Sequence, residues 1–206
     1  MREWRNWQTR TFEGRVVTPY GFKSRFSHQK APEQIARVFC FFANKGVRMV
    51  KHPIAPVYDN NSKILILGSF PSVKSREEMF FYGHPQNRFW KVLAGVFAER
   101  VPESIQEKRS FLLDHKIALW DVIASCDIEG SSDSSIKNVV PNNLNTILEQ
   151  SNIEEIFVNG KTAYKYYNTY LRDTLKREAI CLPSTSPANA AWNLEKLICA
   201  WSAVKK

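Results

Sequence analysis

The sequence predicts an α/β fold of three layers, α/β/α, around a central four-stranded, mainly parallel sheet. Three observations predict it. Lys63-Ile64-Leu65-Ile66-Leu67-Gly68 is a continuous apolar run rather than an alternating one, which suits a strand covered on both faces. Three more short runs of strand character follow, at Ile117 to Ile123, Glu155 to Asn159 and Glu178 to Leu182. Between them lie segments of helical spacing, and strands that alternate with helices imply a parallel sheet with both faces covered.

Taken in order, the first strand ends at Gly68, and a polar, aromatic loop runs to about Asn87. Arg88 to Glu99 carries apolar residues at 89, 90, 92, 93, 96 and 97, one face of a helix. Ser104 to His115 reads as a second helix, with Ser104 and Glu107 spaced as a capping box. The second strand follows, then a loop rich in Ser, Asp and Asn from Asp127 to Asn142. Leu144 to Gln150 is a short helix, Glu155 to Asn159 the third strand, and Gly160 opens a helix through about Leu175. The fourth strand gives way to a Ser/Pro loop, and Asn193 to Val204 closes the domain as a helix.

Composition narrows the classes. Of 206 residues, 44% are hydrophobic, enough for a buried core. No run of 18 apolar residues exists, so no membrane partner is expected. Met1 to Arg10 is charged and lacks the apolar centre of a secretory signal. Cys40, Cys126, Cys181 and Cys199 are therefore read as reduced thiols in a cytoplasmic protein. No C-x-x-C pair exists, so no metal is expected. The net charge of +9 suggests nucleic acid. Residues 1–48, however, carry 10 Lys/Arg against 3 Asp/Glu, and residues 49–206 carry 19 against 17. Most of the basic excess thus lies outside the part that patterns as a domain.

Residues 1–48 show no sustained period. Gly21 to Arg25 back-translates to a sequence resembling the T-arm of a tRNA gene, and Trp4 to Arg10 to the 5′ part of a leucine tRNA gene. Residues 1–48 are read as a spurious or disordered extension, Met49 as the expected start, and residues 49–206 as the functional domain.

In parallel sheets of this kind ligands bind at the carboxyl ends of the strands. Those ends carry Gly68-Ser69-Phe70-Pro71-Ser72, Asp121, Asn159-Gly160-Lys161, and Pro183 to Asn189. Neither G-x-G-x-x-G nor G-x-x-x-x-G-K-[ST] is present, so a dinucleotide or nucleoside triphosphate is disfavoured. Phe80-Phe81-Tyr82-Gly83-His84-Pro85-Gln86-Asn87-Arg88-Phe89-Trp90-Lys91 is the most informative stretch. A planar ring there can stack on a flipped base, worth roughly 1–3 kcal/mol. Asn87 offers an acceptor and donors, and as plain structure would cap the helix that follows. His84 has an equally plain reading as a hydrogen-bonded structural histidine.

Four segments in order carry a resemblance: Gly68 to Ser72, Tyr82 to Lys91, Gly160 to Tyr164, and Leu182 to Pro187. Together they resemble the uracil-DNA glycosylase superfamily, closest to its hypoxanthine-DNA (deoxyinosine) glycosylase branch, with the mismatch-specific uracil-DNA glycosylases as near relatives. The resemblance implies a monofunctional enzyme that needs no cofactor, acts as a monomer, and excises a deaminated base from DNA. It implies a base pocket of Gly68, Ser69, Phe70, Tyr82, His84 and Asp121, with Tyr82 stacked on the base. It implies DNA contacts at Lys161, Ser184, Thr185, Ser186 and Pro187. Many members place Asp or Asn where Phe70 stands. The hypoxanthine branch shares that departure, which makes Asn87 the implied catalytic residue. Leu182 and Ser184 leave empty the place of a histidine found in many relatives, so hypoxanthine is expected ahead of uracil. Asp121 would accept the ring N–H that hypoxanthine has and adenine lacks. A non-catalytic nucleic-acid-binding module of the same fold is the alternative.

Overall fold

The structure, a computed structural model, describes residues 49–205. The expectation for residues 1–48 lies outside the described residues.

Four parallel strands form the central sheet: β2 (Ile64–Gly68), β3 (Ile117–Asp121), β6 (Glu155–Asn159) and β7 (Ile180–Leu182), in the order β3-β2-β6-β7. All five residues of β2 are buried, because it lies inside the sheet with helices on both sides. Its side chains divide by parity. Ile64 and Ile66 join one core with helices α2 (Phe89–Phe97), α3 (Ile105–Asp114) and α7 (Leu194–Trp201). Leu65 and Leu67 join the other, with α4 (Asn145–Gln150) and α5 (Lys161–Tyr170). A short helix, α6 (Arg172–Leu175), follows α5. Leu65, Ile66 and Leu67 are fully buried, so truncating any of them to alanine costs about 2–5 kcal/mol. This is the three-layer architecture that the continuous apolar run predicts.

The capping box at the start of α3 is present as read. Ser104 Oγ accepts from the Glu107 N–H at 3.1 Å, and the Glu107 carboxylate accepts from the Ser104 N–H at 3.1 Å. Such a cap contributes about 1 kcal/mol.

Three features depart from the sequence reading. The run Ile117 to Ile123 is not one strand. It leaves the parallel sheet at Asp121, where the Val122 N–H donates to the Gly68 carbonyl, and continues as β4 (Ile123–Asp127). β4 is the centre of a second, antiparallel sheet, β1-β4-β5, with β1 (Met49–Lys51) and β5 (Lys137–Pro141). β5 lies in a stretch expected to be loop; it is short and largely exposed, so it carries no apolar pattern. The loop after β2 likewise holds a short helix, α1 (Val73–Glu78), capped by Ser72 Oγ accepting from the Ser75 N–H at 3.2 Å. No helix among the described residues is long and apolar enough to cross a membrane.

Candidate active site

The carboxyl ends of the strands converge on a cavity of about 140 Å³. Gly68, Ser69, Phe70, Tyr82, Asn87, Asp121, Ser184, Thr185 and Ser186, all singled out from sequence, line it. His84, Lys161 and Pro187 do not. His84 is exposed, and its Nδ1 accepts from the Gln86 N–H at 3.2 Å, so it shapes the turn before α2 rather than the cavity wall. Lys161 lines a wider neighbouring groove that shares Ser184 and Ser186 with the cavity. Pro187 is exposed on the loop between β7 and α7.

A chain of hydrogen bonds fixes one wall. Asn159, at the end of β6, accepts on Oδ1 from the Thr185 N–H at 3.0 Å. Its Nδ2 then donates to Thr185 Oγ1 at 2.9 Å and to the Tyr82 hydroxyl at 3.0 Å. Thr185 passes its own hydroxyl proton to Asn87 Oδ1 at 3.0 Å. The same oxygen accepts from the N–H of Phe89, the first helical residue, at 3.0 Å; the N-cap itself is Arg88, so Asn87 stands one residue ahead of the cap position that the sequence suggests. A backbone N–H only donates, so it fixes which side of each carboxamide is oxygen. Both lone pairs of Asn87 Oδ1 are thereby used. The Asn87 amide N–H groups have no acceptor among the described residues and lie at the cavity wall.

Tyr82 packs one ring face on Phe89, centroids 3.9 Å apart and planes 18° from parallel. Its backbone sits at φ 53°, a conformation uncommon for a residue with a Cβ. Burial first, and then the nearby Asp121 charge, push its hydroxyl well above the ordinary tyrosine range, against the Asn159 bond that lowers it. It is therefore a neutral phenol at any working pH.

Next to the Tyr82 hydroxyl, the lining belongs to Asp121. Its Oδ1 lies over Gly68, where an added Cβ would come within 2.1 Å of it. Its Oδ2 lies 2.8 Å from Nε2 of His52, and both side chains are almost fully buried. The Asp121 carbonyl accepts from Asn142 Nδ2 at 2.8 Å. Phe70 is buried edge-on to the His52 ring, with the Arg76 guanidinium 5.7 Å from its centroid. At the lip, Asp133 accepts from Ser69 Oγ at 3.1 Å. Desolvation pushes the Asp133 carboxyl above its ordinary range, against hydrogen bonds from Ser69 and Thr162 that lower it.

Arg88 organises the loop after β7. Its guanidinium donates to the carbonyl oxygens of Thr185, Ser186, Asn189 and Trp192. Four carbonyls on one planar fork define the path of that loop more firmly than its own short contacts do.

Sequence reasoning missed three of these groups. Asn159 stood at a strand end whose significance was visible, but its role depends on Thr185, 26 residues away. Arg88 lay inside the informative motif and carried no assigned role. His52 had no local signal, because its partner is 69 residues away. No group of three or more His, Cys, Asp or Glu among the described residues is placed to hold a metal ion.

Sheet, rim and cavity define an α/β protein with a polar cavity at the carboxyl ends of its parallel strands. The chain belongs to the uracil DNA glycosylase superfamily, whose profile matches residues 55–205. It is 36% identical over 143 residues to a hypoxanthine DNA glycosylase of Methanosarcina acetivorans, covering 68% of this chain and 89% of that one. It is 35% identical over 120 residues to a hypoxanthine DNA glycosylase of Methanosarcina barkeri, covering 57% and 76%. Its fold matches the solution NMR structure of a candidate uracil DNA glycosylase from Methanosarcina acetivorans. That match has a TM-score of 0.64 at 29% identity, and covers 77% of this chain and all of the other.

Proposed function

We propose that this DNA glycosylase releases hypoxanthine from deoxyinosine in DNA, with Asn87 as the catalytic residue. The observation that carries the reading is the presence in one cavity of an acceptor, Asp121 Oδ1 over Gly68, and of unpaired donors. The donors for the base are the backbone N–H groups of Ser69 and Phe70, and the Asn87 amide is left for water; none of these finds an acceptor among the described residues. Hypoxanthine is complementary: N1–H donates and O6 accepts.

The base leaves the stack and enters the cavity, at an unstacking cost that is lowest for a poorly paired base. The free face of Tyr82 receives it, worth roughly 1–3 kcal/mol. Asp121 accepts N1–H. A carboxylate there does not help a departing purine anion, so Asp121 serves recognition. The rate comes from donors on O6, where charge develops as the C1′–N9 bond breaks. Asn87 donates an N–H to one lone pair of a water and leaves the other for C1′. The water loses one proton to solvent as its oxygen bonds to C1′, and the departing purine anion takes one proton from solvent, so that hypoxanthine is released neutral. In this reading Lys161, Ser184 and Ser186, which line the groove beside the cavity, and the exposed Pro187 contact the DNA backbone, and Thr185 acts through Asn87.

The test is direct. The full chain is incubated with duplexes holding one inosine, uracil, xanthine or normal base, and abasic sites are cleaved with alkali. Strand cleavage at inosine that falls at least 100-fold in Asn87→Ala supports the reading. Cleavage at uracil alone moves the substrate, and undiminished cleavage by the variant removes Asn87 from the mechanism.

A further inference from the structure

His52 is tied at both ring nitrogens. The Ile54 N–H lies 3.2 Å from Nδ1, and a backbone N–H only donates, so Nδ1 is an acceptor carrying no proton. The proton of the neutral ring therefore sits on Nε2 and points at Asp121 Oδ2, 2.8 Å away. The rings of Phe70, Phe81 and Trp120 surround the imidazole at 5.9 to 6.2 Å. The backbone of His52 is anchored to the second sheet, its N–H donating to the Ala124 carbonyl at 2.7 Å. A fixed polarity thus runs from a backbone amide through a caged imidazole to a carboxylate, and leaves that carboxylate's other oxygen over Gly68 at the cavity wall.

We infer that His52 is a specificity-determining positioning residue: by engaging Oδ2 it holds the Asp121 carboxylate with Oδ1 toward the base as an acceptor, so that a purine with N1–H is accepted and one with an N1 lone pair is refused. The inference rests on the proposed hypoxanthine reading for its substrate, and on geometry alone for the polarity. It has an unusual consequence. In Asp121→Asn the carboxamide must turn its oxygen to the His52 Nε2–H, so its NH₂ faces the cavity. The pocket then offers a donor, which suits the N1 lone pair of adenine and opposes N1–H of hypoxanthine. Removing the imidazole donor frees the carboxamide to rotate and to offer its oxygen again.

Two measurements on the full chain test this. Long-range proton–nitrogen NMR of the histidine rings reads the tautomer without any substrate. A proton on Nε2 of His52 is expected; a proton on Nδ1 of a neutral ring overturns the polarity. Release of hypoxanthine and adenine is then compared in single-turnover assays. Asp121→Asn is expected to lower the hypoxanthine-to-adenine ratio by about 100-fold. Asp121→Asn with His52→Leu is expected to recover about 10-fold of that ratio, although the second change removes a further group. His52→Gln, which keeps an amide N–H toward Asp121, is expected to hold the ratio near that of the unmodified protein and guards against a simple packing effect. A ratio in Asp121→Asn that His52→Leu leaves unmoved overturns the inference. An unmodified protein inert on inosine, with the Nε2 proton in place, overturns the proposed reaction and leaves the polarity standing.

Discussion

Thr185 donates its hydroxyl proton to Asn87 Oδ1 at 3.0 Å, across 98 residues of chain. Through that bond the loop after the last sheet strand sets the orientation of a side chain at the start of α2. Thr185 is fully buried, and its oxygen also accepts from Asn159. Thr185→Val keeps the shape and removes both bonds. It should cost about 1–3 kcal/mol of stability and lower single-turnover base release by about 10- to 100-fold. Thr185→Ser should restore most of both. Denaturant melts beside kinetics on an inosine duplex check the pair; a Val variant with full activity would remove the wall's control over Asn87.

Arg88 predicts a different signature. Its guanidinium gathers four carbonyls of the 185–192 loop. A lysine has a compact ammonium and cannot match a planar fork. Arg88→Lys should therefore speed amide hydrogen exchange across residues 184–192 and weaken DNA binding by about 10-fold, with exchange in β2 unchanged. Exchange mass spectrometry resolves the two regions.

Gly68→Ala tests the acceptor directly. The added Cβ meets Asp121 Oδ1 at 2.1 Å and the Tyr82 hydroxyl at 3.1 Å. The carboxylate cannot yield without leaving His52. Base release should fall at least 10-fold, at an overpacking cost of about 1–3 kcal/mol. Activity that survives intact would mean the Asp121 oxygen is not used.

The pH dependence of stability carries a sign set by Asp133. Its folded pKa is raised above the ordinary 3.8 by desolvation, so the native state holds the proton more tightly than the unfolded chain. The contribution is fully favourable below 3.8 and is lost as pH rises through the folded value. Asp133→Asn should thus raise Tm at neutral pH, with the gain shrinking as pH falls toward 3. A calorimetric series over that range checks it; a gain that grows on acidification would reverse the sign.

Much of the frame was legible because it is local. The unbroken run at Lys63 to Gly68 reports a two-sided strand, and Ser104 with Glu107 reports a cap, whatever the rest of the chain does. The cavity lining was legible because strand ends converge by topology. What escaped depends on distant partners. The turn at Val122 is set by the Gly68 carbonyl, and nothing in Trp-Asp-Val-Ile announces it. The exposed β5 has no apolar pattern to detect. His84 looked like a site residue because it lies inside the motif, yet its work is to hold a turn. Asn87 reads as either a cap or a reacting group; the cap is Arg88, one residue on, and the Asn87 oxygen holds the first helical N–H while the residue lines the cavity.

The antiparallel sheet gives the molecule a division of labour. Its edge strand, three residues long, pairs with β4 alone and brings in the imidazole behind Asp121. Of that strand, Val50 packs against the second core, part-buried at its margin, while His52 belongs to neither core. On the proposed reading, discrimination between bases rests on a strip at the edge of the second sheet. On that reading a substitution at His52 retunes what the enzyme recognises from a position outside both core clusters, so selectivity can drift more freely than the scaffold beneath it.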